Sequence, residues 1–221
     1  MSIPYGLLAD VWYISAALFA VLLLTIAASS APWHQLRESS RLHLYLGTCV
    51  LLMPLWLIKT TIMPGLEYHF VGATLLTLIF GWRLALVGMT VLIGSAVVNG
   101  NLDWPSYALN LLVMGAVPIT ISHAMLRATE RWLPANFFIY IFVVAYAGAA
   151  LAVGCAVLCA VTVLWMGGIY TFAQLGDKLF PLVVLLMVPE AFVTGMLITL
   201  MVVFYPGWVG TFDDQRYLRR R

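Results

Sequence analysis

Few side chains in this sequence can do chemistry, and they fall at a handful of places. Only 9% of the 221 residues are charged and only four are histidine. His69, in GLEYHFVGATLL, opens a long apolar run two residues after Glu67. A neutral imidazole there can ligate a divalent transition metal, with a carboxylate beside it. The chain opens MSIPYGLLADVW, whose first eight residues are uncharged and hold a Pro-x-Gly turn almost directly before a membrane-length segment. The α-amino group of Met1, with a pKa of about 7.7–8.0, becomes a nitrogen donor once deprotonated. The Ser2 hydroxyl sits beside it. If this peptide folds back onto the loop of Glu67 and His69, it is a plug carrying its own ligand. A lone histidine at a helix end can equally be an interfacial hydrogen-bonding group.

Glu190, in VPEAFVTGML, is the one carboxylate well inside an apolar run. Such a residue is a functional candidate by default. It can also be a hydrogen-bonded glutamate that caps a backbone gap opened by Pro189. Asn110 either bonds across helices or shapes a cavity beneath the opening peptide. No motif places a nucleophile beside a base, so no enzyme is expected. No G-x-x-x-x-G-K-[ST] is present, so no ATP is expected on this chain. Cys49, Cys155 and Cys159 all lie in apolar runs, as packing residues do.

The elements that must position these groups are membrane helices. The chain is 63% hydrophobic with a mean hydropathy of +1.01, against a charged fraction of about 25% in soluble domains. Seven transmembrane helices in a single domain over residues 1–221 are expected, an all-α integral membrane protein. The spans run 11–28, 44–63, two within 70–98, 107–125, 137–166 and 178–204, with a break at Gly81-Trp82-Arg83 between the third and fourth. Residues 1–10 form the plug peptide and residues 206–221 a basic cytoplasmic tail.

The charges choose the orientation. With the N-terminus outside, Arg37, Arg41, Arg83, Arg127, Arg131, Arg216, Arg219, Arg220 and Arg221 are cytoplasmic, and only Lys59 and Lys178 lie outside. Six spans would reverse everything after Arg83 and leave that arginine near the bilayer centre. Asp10, Glu67, Asp103 and Asp177 then share the outer side with few basic neighbours. They make a mildly negative mouth for cations, or are ordinary helix-end charges. The rows Ala16, Ala20 and Gly148, Ala152, Ala156, Ala160 mark close helix contacts. The lipid bilayer is the expected environment, in a multi-pass position in a bacterial inner membrane, and nucleic acid is not an expected partner.

The stretches xIPxGLL, PGLEYHFVGATLLTLIFGW, NGNLDWPSYALNLLVMGAVP and VPEAFVTGML, in this order, resemble the cobalt/nickel permeases of energy-coupling-factor transporters (the CbiM/NikM type). The resemblance implies a seven-helix component that binds a divalent metal as its substrate, nickel or cobalt. It also implies a transmembrane coupling subunit and cytoplasmic ATPases as partners, with Ala16 and Ala20 on the face that docks the coupling subunit. In that family the metal is held by the terminal amine, by the amide and imidazole of residue 2, and by a histidine matching His69. Here residue 2 is Ser2. A family His-Gly-Gly reads Asn99-Gly100-Asn101, and its following Gly-Ala-Asn reads Ala108-Leu109-Asn110, with Met114 kept. The expected metal residues are therefore Met1, Ser2, Glu67 and His69, with Asn99, Asn101, Asn110, Met114 and Glu190 supporting them. The departures raise an alternative, a non-transporting accessory or assembly subunit that has lost the metal.

Overall fold

The computed structural model describes residues 2–63 and 66–217. Its main helices are α1 (Asp10–Ser30), α2 (Ser39–Leu57), α3 (Ala73–Phe80), α4 (Trp82–Val98), α5 (Trp104–Trp132), α6 (Phe137–Met166) and α7 (Phe172–Phe204). Among the described residues, α1, α5, α6 and the Val183–Phe204 part of α7 are long and apolar enough to cross a membrane. Exposed Val11, Leu18 and Val21 give α1 an outer face that hydrocarbon tolerates and water does not. Inside, Gly148, Ala152, Ala156 and Ala160 are buried on α6, so their small side chains let neighbouring helices approach closely. All three cysteines are free.

The molecule is helical but not purely so. A second span to Met63 was expected, yet α2 ends at Leu57 and Lys59–Met63 forms a strand, β1. It pairs antiparallel with β2 (Leu66–His69), with Lys59 opposite His69 and Thr61 opposite Glu67. The β-branched run Thr60-Thr61-Ile62 suits a pleated ribbon better than a helix end. Because alternate residues share a face, Lys59, Thr61, Glu67 and His69 lie on the same side of this hairpin.

The third expected span is also different. Helix α3 has eight residues, about 12 Å at 1.5 Å per residue, against a hydrocarbon core of about 30 Å. All eight are buried, and the helix packs against α4, α5, α6 and α7. Gly72 at φ 73° precedes it and Gly81 at φ 80° ends it, left-handed backbone that a Cβ would strain. A helix this short leaves orphan amides and carbonyls at both ends, and the apolar interior supplies no water for them. Distant chain satisfies them instead. Just before its N-terminus, the Val71 and Gly72 N–H groups donate to Glu190 Oε2 (2.9 Å) and Oε1 (2.8 Å). At its C-terminus, Gly210 N–H donates to the Ile79 carbonyl (2.9 Å) and Thr211 Oγ1 to that of Leu78 (2.7 Å).

Candidate metal site

The opening peptide is held against three elements. Ser2 forms an antiparallel bridge with Glu67, its N–H donating to the Glu67 carbonyl at 3.0 Å. It thereby extends the β1–β2 ribbon by one residue at the edge of β2. Ile3 is fully buried and is read by the Asn110 side chain. Asn110 Oδ1 accepts the Ile3 N–H (2.8 Å), and Nδ2 donates to the Ile3 carbonyl (2.9 Å) and to that of Ser106 (2.9 Å). The amide thus satisfies both backbone groups of Ile3 as a neighbouring strand would. Tyr5 N–H donates to Asp103 Oδ2 at 3.0 Å, and the Tyr13 hydroxyl to the Pro4 carbonyl at 3.0 Å.

Two cavities meet where the peptide lies. One, of ≈ 250 Å³, is lined by Ser2, Lys59, Glu67, Asn101 and Asp103 among others. The second, of ≈ 20 Å³, shares Ser2, Lys59, Glu67 and Asn101 and adds Trp56, His69 and Met114. It has room for one water-sized body. Met114 lies in a π-helical stretch, Leu111–Ala116, directly after Asn110. A widened turn of this kind shifts the side chains beyond it and recurs at functional sites.

His69 is only 4% exposed, and burial holds its imidazole well below the ordinary pKa, so it is neutral. Its Nδ1 lies 3.1 Å from the Phe70 carbonyl. A carbonyl only accepts, so this contact selects the tautomer with the proton on Nδ1 and the lone pair on Nε2. The ring packs on Trp56 with centroids 4.3 Å apart, and Trp56 is itself tied to the Val71 carbonyl (3.3 Å). Glu67 Oε2 accepts the Lys59 ammonium (2.9 Å) and lies 3.3 Å from Ser2 Oγ.

Of the residues singled out from sequence, Ser2, Glu67, His69, Asn101 and Met114 come together around one small cavity. Asn110 supports it by seating Ile3. Glu190 acts one step away, bonded to the Val71 and Gly72 amides just after His69. The gap it caps precedes α3 and is not one opened by Pro189. Asn99 ends α4 and does not line either cavity. Met1 lies outside the described residues. Ala16 and Ala20 are buried within the chain, so they serve internal packing of α1, which lies against α4 and α5. Among the described residues, no three His, Cys, Asp or Glu side chains gather as a metal cluster. Sequence reading missed Lys59 as the partner of Glu67. Its signal was the β-branched run on one side of Pro64-Gly65 and the short Leu66–His69 segment on the other, a hairpin pattern.

A family described as the cobalt uptake substrate-specific transmembrane region (CbiM) matches residues 2–208. No curated protein matches the chain significantly. Two crystal structures share its fold, one described as a truncated transition metal transporter and one as a transition metal transporter. The first superposes with a TM-score of 0.77 at 16% identity, over 92% of this chain and 99% of its own. The second gives 0.76 at 16% identity, over 91% and 92%. The chain belongs to the cobalt uptake substrate-specific transmembrane family.

Proposed function

We propose that this member of the cobalt uptake family is the substrate-binding membrane component for uptake of a divalent transition-metal ion, nickel or cobalt, energised by partner subunits. One observation carries the reading. The opening peptide is seated by Glu67, Asn110 and Asp103 so that Ser2 and His69 line the same ion-sized cavity. In this reading His69 is the principal ligand and Glu67 and Ser2 assist. Asn101 and Met114 form the wall, and Asn99, Asn110 and Glu190 hold the frame. Residues 1–10 close the cavity as a plug. ATP is hydrolysed by partner chains, and this chain performs no catalysis.

The same reading takes the chain between the two faces seven times, with the buried half-helix α3 and the extended segment before it as the third passage, residue 1 outside and the tail cytoplasmic, in a bacterial inner membrane. Two observations support it. Asn110, which seats the N-terminal peptide, and Glu130, which binds Arg216 at 3.1 Å, are both on α5. Twenty residues of helix separate them by about 30 Å, so Ile3 and Arg216 lie at opposite ends of α5. In the sequence, all nine arginines fall in segments that this reading gives to the cytoplasm.

A second reading rests on the donors themselves. Ser2 and Asn99 stand where the family carries imidazoles, and the Glu67 carboxylate is already paired with Lys59. On that reading the chain is a non-transporting subunit of another membrane complex. Metal content separates the two. The purified chain, loaded with micromolar nickel or cobalt, is expected to hold one equivalent by elemental analysis. His69→Ala should lose it, and His34→Ala and His43→Ala should keep it. No bound metal in the wild type at micromolar concentration supports the second reading instead.

A further inference from the structure

The end of the molecule opposite Ser2 carries a larger cavity, of ≈ 440 Å³. Its walls are the first turn of α4 (Gly81, Trp82, Arg83), the last turns of α5 (His123, Arg127, Glu130) and the segment Gly210–Tyr217. The α4 N-terminus has no side-chain cap. The first amides of any helix lack an intrahelical acceptor, and here no capping side chain replaces it, so the positive end of the helix dipole opens on the cavity.

The charges around it are unequal. Glu130 is engaged on both oxygens, by Arg127 (3.3 Å) and by Arg216 (3.1 Å). Asp213 accepts the Gln215 N–H at 2.9 Å. Arg83 lies over the Trp82 ring, 5.2 Å from its centroid, and makes no ion pair among the described residues. Among the described lining residues, three guanidinium groups thus face two carboxylates, of which Glu130 is engaged on both oxygens and Asp213 on Oδ1.

A separate feature points to a missing acceptor. Tyr217 lines this cavity and is only 7% exposed, and its hydroxyl has no hydrogen-bond partner among the described residues. Its ring is fixed by stacking on Phe212 at 5.1 Å and by an inclined contact with Tyr140 at 5.1 Å, so the hydroxyl cannot swing away to solvent without breaking that packing. A buried donor in this state is unfavourable until an acceptor reaches it.

We propose that this cavity binds a phosphate-bearing anion, held by Arg83 and Arg127, the uncapped first turn of α4 and the Tyr217 hydroxyl. A tetrahedral anion presents several acceptor oxygens at once, which matches guanidinium forks and helix N-terminal amides together. The volume admits a phosphate with an attached small alcohol. A soluble phosphate compound and the headgroup of an anionic phospholipid share this chemistry. The site does not depend on the metal at the other end.

The full chain, purified in a neutral detergent, is titrated with inorganic phosphate and separately with short-chain phosphatidylglycerol, with phosphatidylcholine as the control. Calorimetry and native mass spectrometry read the binding. One-to-one saturable binding of at least one anionic probe is expected, weakened about tenfold in Arg83→Gln or Arg127→Gln. Tyr217→Phe keeps the ring packing and the fold, and should weaken binding by a smaller factor. Phosphate binding assigns a soluble ligand, and binding of phosphatidylglycerol alone assigns a lipid headgroup. The proposal fails if neither probe exceeds phosphatidylcholine. It also fails if folded Arg83→Gln and Tyr217→Phe proteins bind as the wild type does.

Discussion

Ser2 occupies the position at which the metal reading is most exposed. Its hydroxyl is a weaker ligand for a borderline metal than an imidazole would be, and it lies 3.3 Å from a carboxylate that Lys59 also engages. Ser2→His should therefore tighten nickel or cobalt binding by about tenfold or more, equivalent to about 1.4 kcal/mol per tenfold. Titration calorimetry on the purified protein checks this, and an unchanged affinity removes Ser2 from the site. Glu190 makes a different kind of demand. Each of its oxygens accepts one buried backbone N–H, so Glu190→Gln keeps one acceptor and offers an NH2 group where the other stood. Glu190→Leu leaves both amides without partners, at about 1–3 kcal/mol each. A graded loss of thermal stability, small for Gln and large for Leu, is the expected outcome. Equal losses would mean that the carboxylate serves mainly to fill space.

Helix α3 is the element on which the architecture turns, because distant chain completes the hydrogen bonding at both of its ends. Thr211 Oγ1 donates to the Leu78 carbonyl and lies 2.8 Å from the Tyr140 hydroxyl. Thr211→Val preserves volume but removes both interactions, and should cost about 1–3 kcal/mol. Gly210 admits no side chain, since a Cβ there would stand 2.7 Å from the Ile79 carbonyl oxygen. Gly207, three residues earlier, has open space around the same position. Gly210→Ala should thus lower the melting temperature, whereas Gly207→Ala should leave it nearly unchanged. Similar effects for the two glycines would show that the Gly210–Thr211 segment does not cap α3. The β1–β2 ribbon is the second element that matters here. It places Glu67 and His69 on one face, which a continuous second helix to Met63 would not have done.

At the scale of the molecule, the two ends carry different chemistry. Ser2, Glu67, Asp103 and Asn110 meet at one end; Arg41, Glu130, Thr211 and Arg216 meet at the other. The helices between them expose apolar side chains such as Leu18, Phe142 and Leu158. With Cys49, Cys155 and Cys159 replaced, single cysteines at Trp104 and Gln215 should label from opposite sides of the membrane with an impermeant maleimide. Labelling from the same side would remove the crossing parity and the outer position of the metal site together.

Much of this was legible in the chain itself. Apolar content and arginine placement are properties of how each segment partitions between water and lipid, so class and expected orientation could be read without contacts. His69, Glu67 and Asn110 stood out because polar groups are scarce among such runs. The hairpin was less legible, because an apolar strand and a helix end look alike over so few residues, and the β-branched run Thr60-Thr61-Ile62 was its main local sign. The central half-helix was not legible at all. Its caps come from Glu190, 119 residues from Val71, and from Thr211, 133 residues from Leu78. Nothing local to α3 supplies those acceptors and donors. Only the packing of α7 and of the Gly210–Thr211 segment against it makes a broken, buried helix stable in an apolar interior.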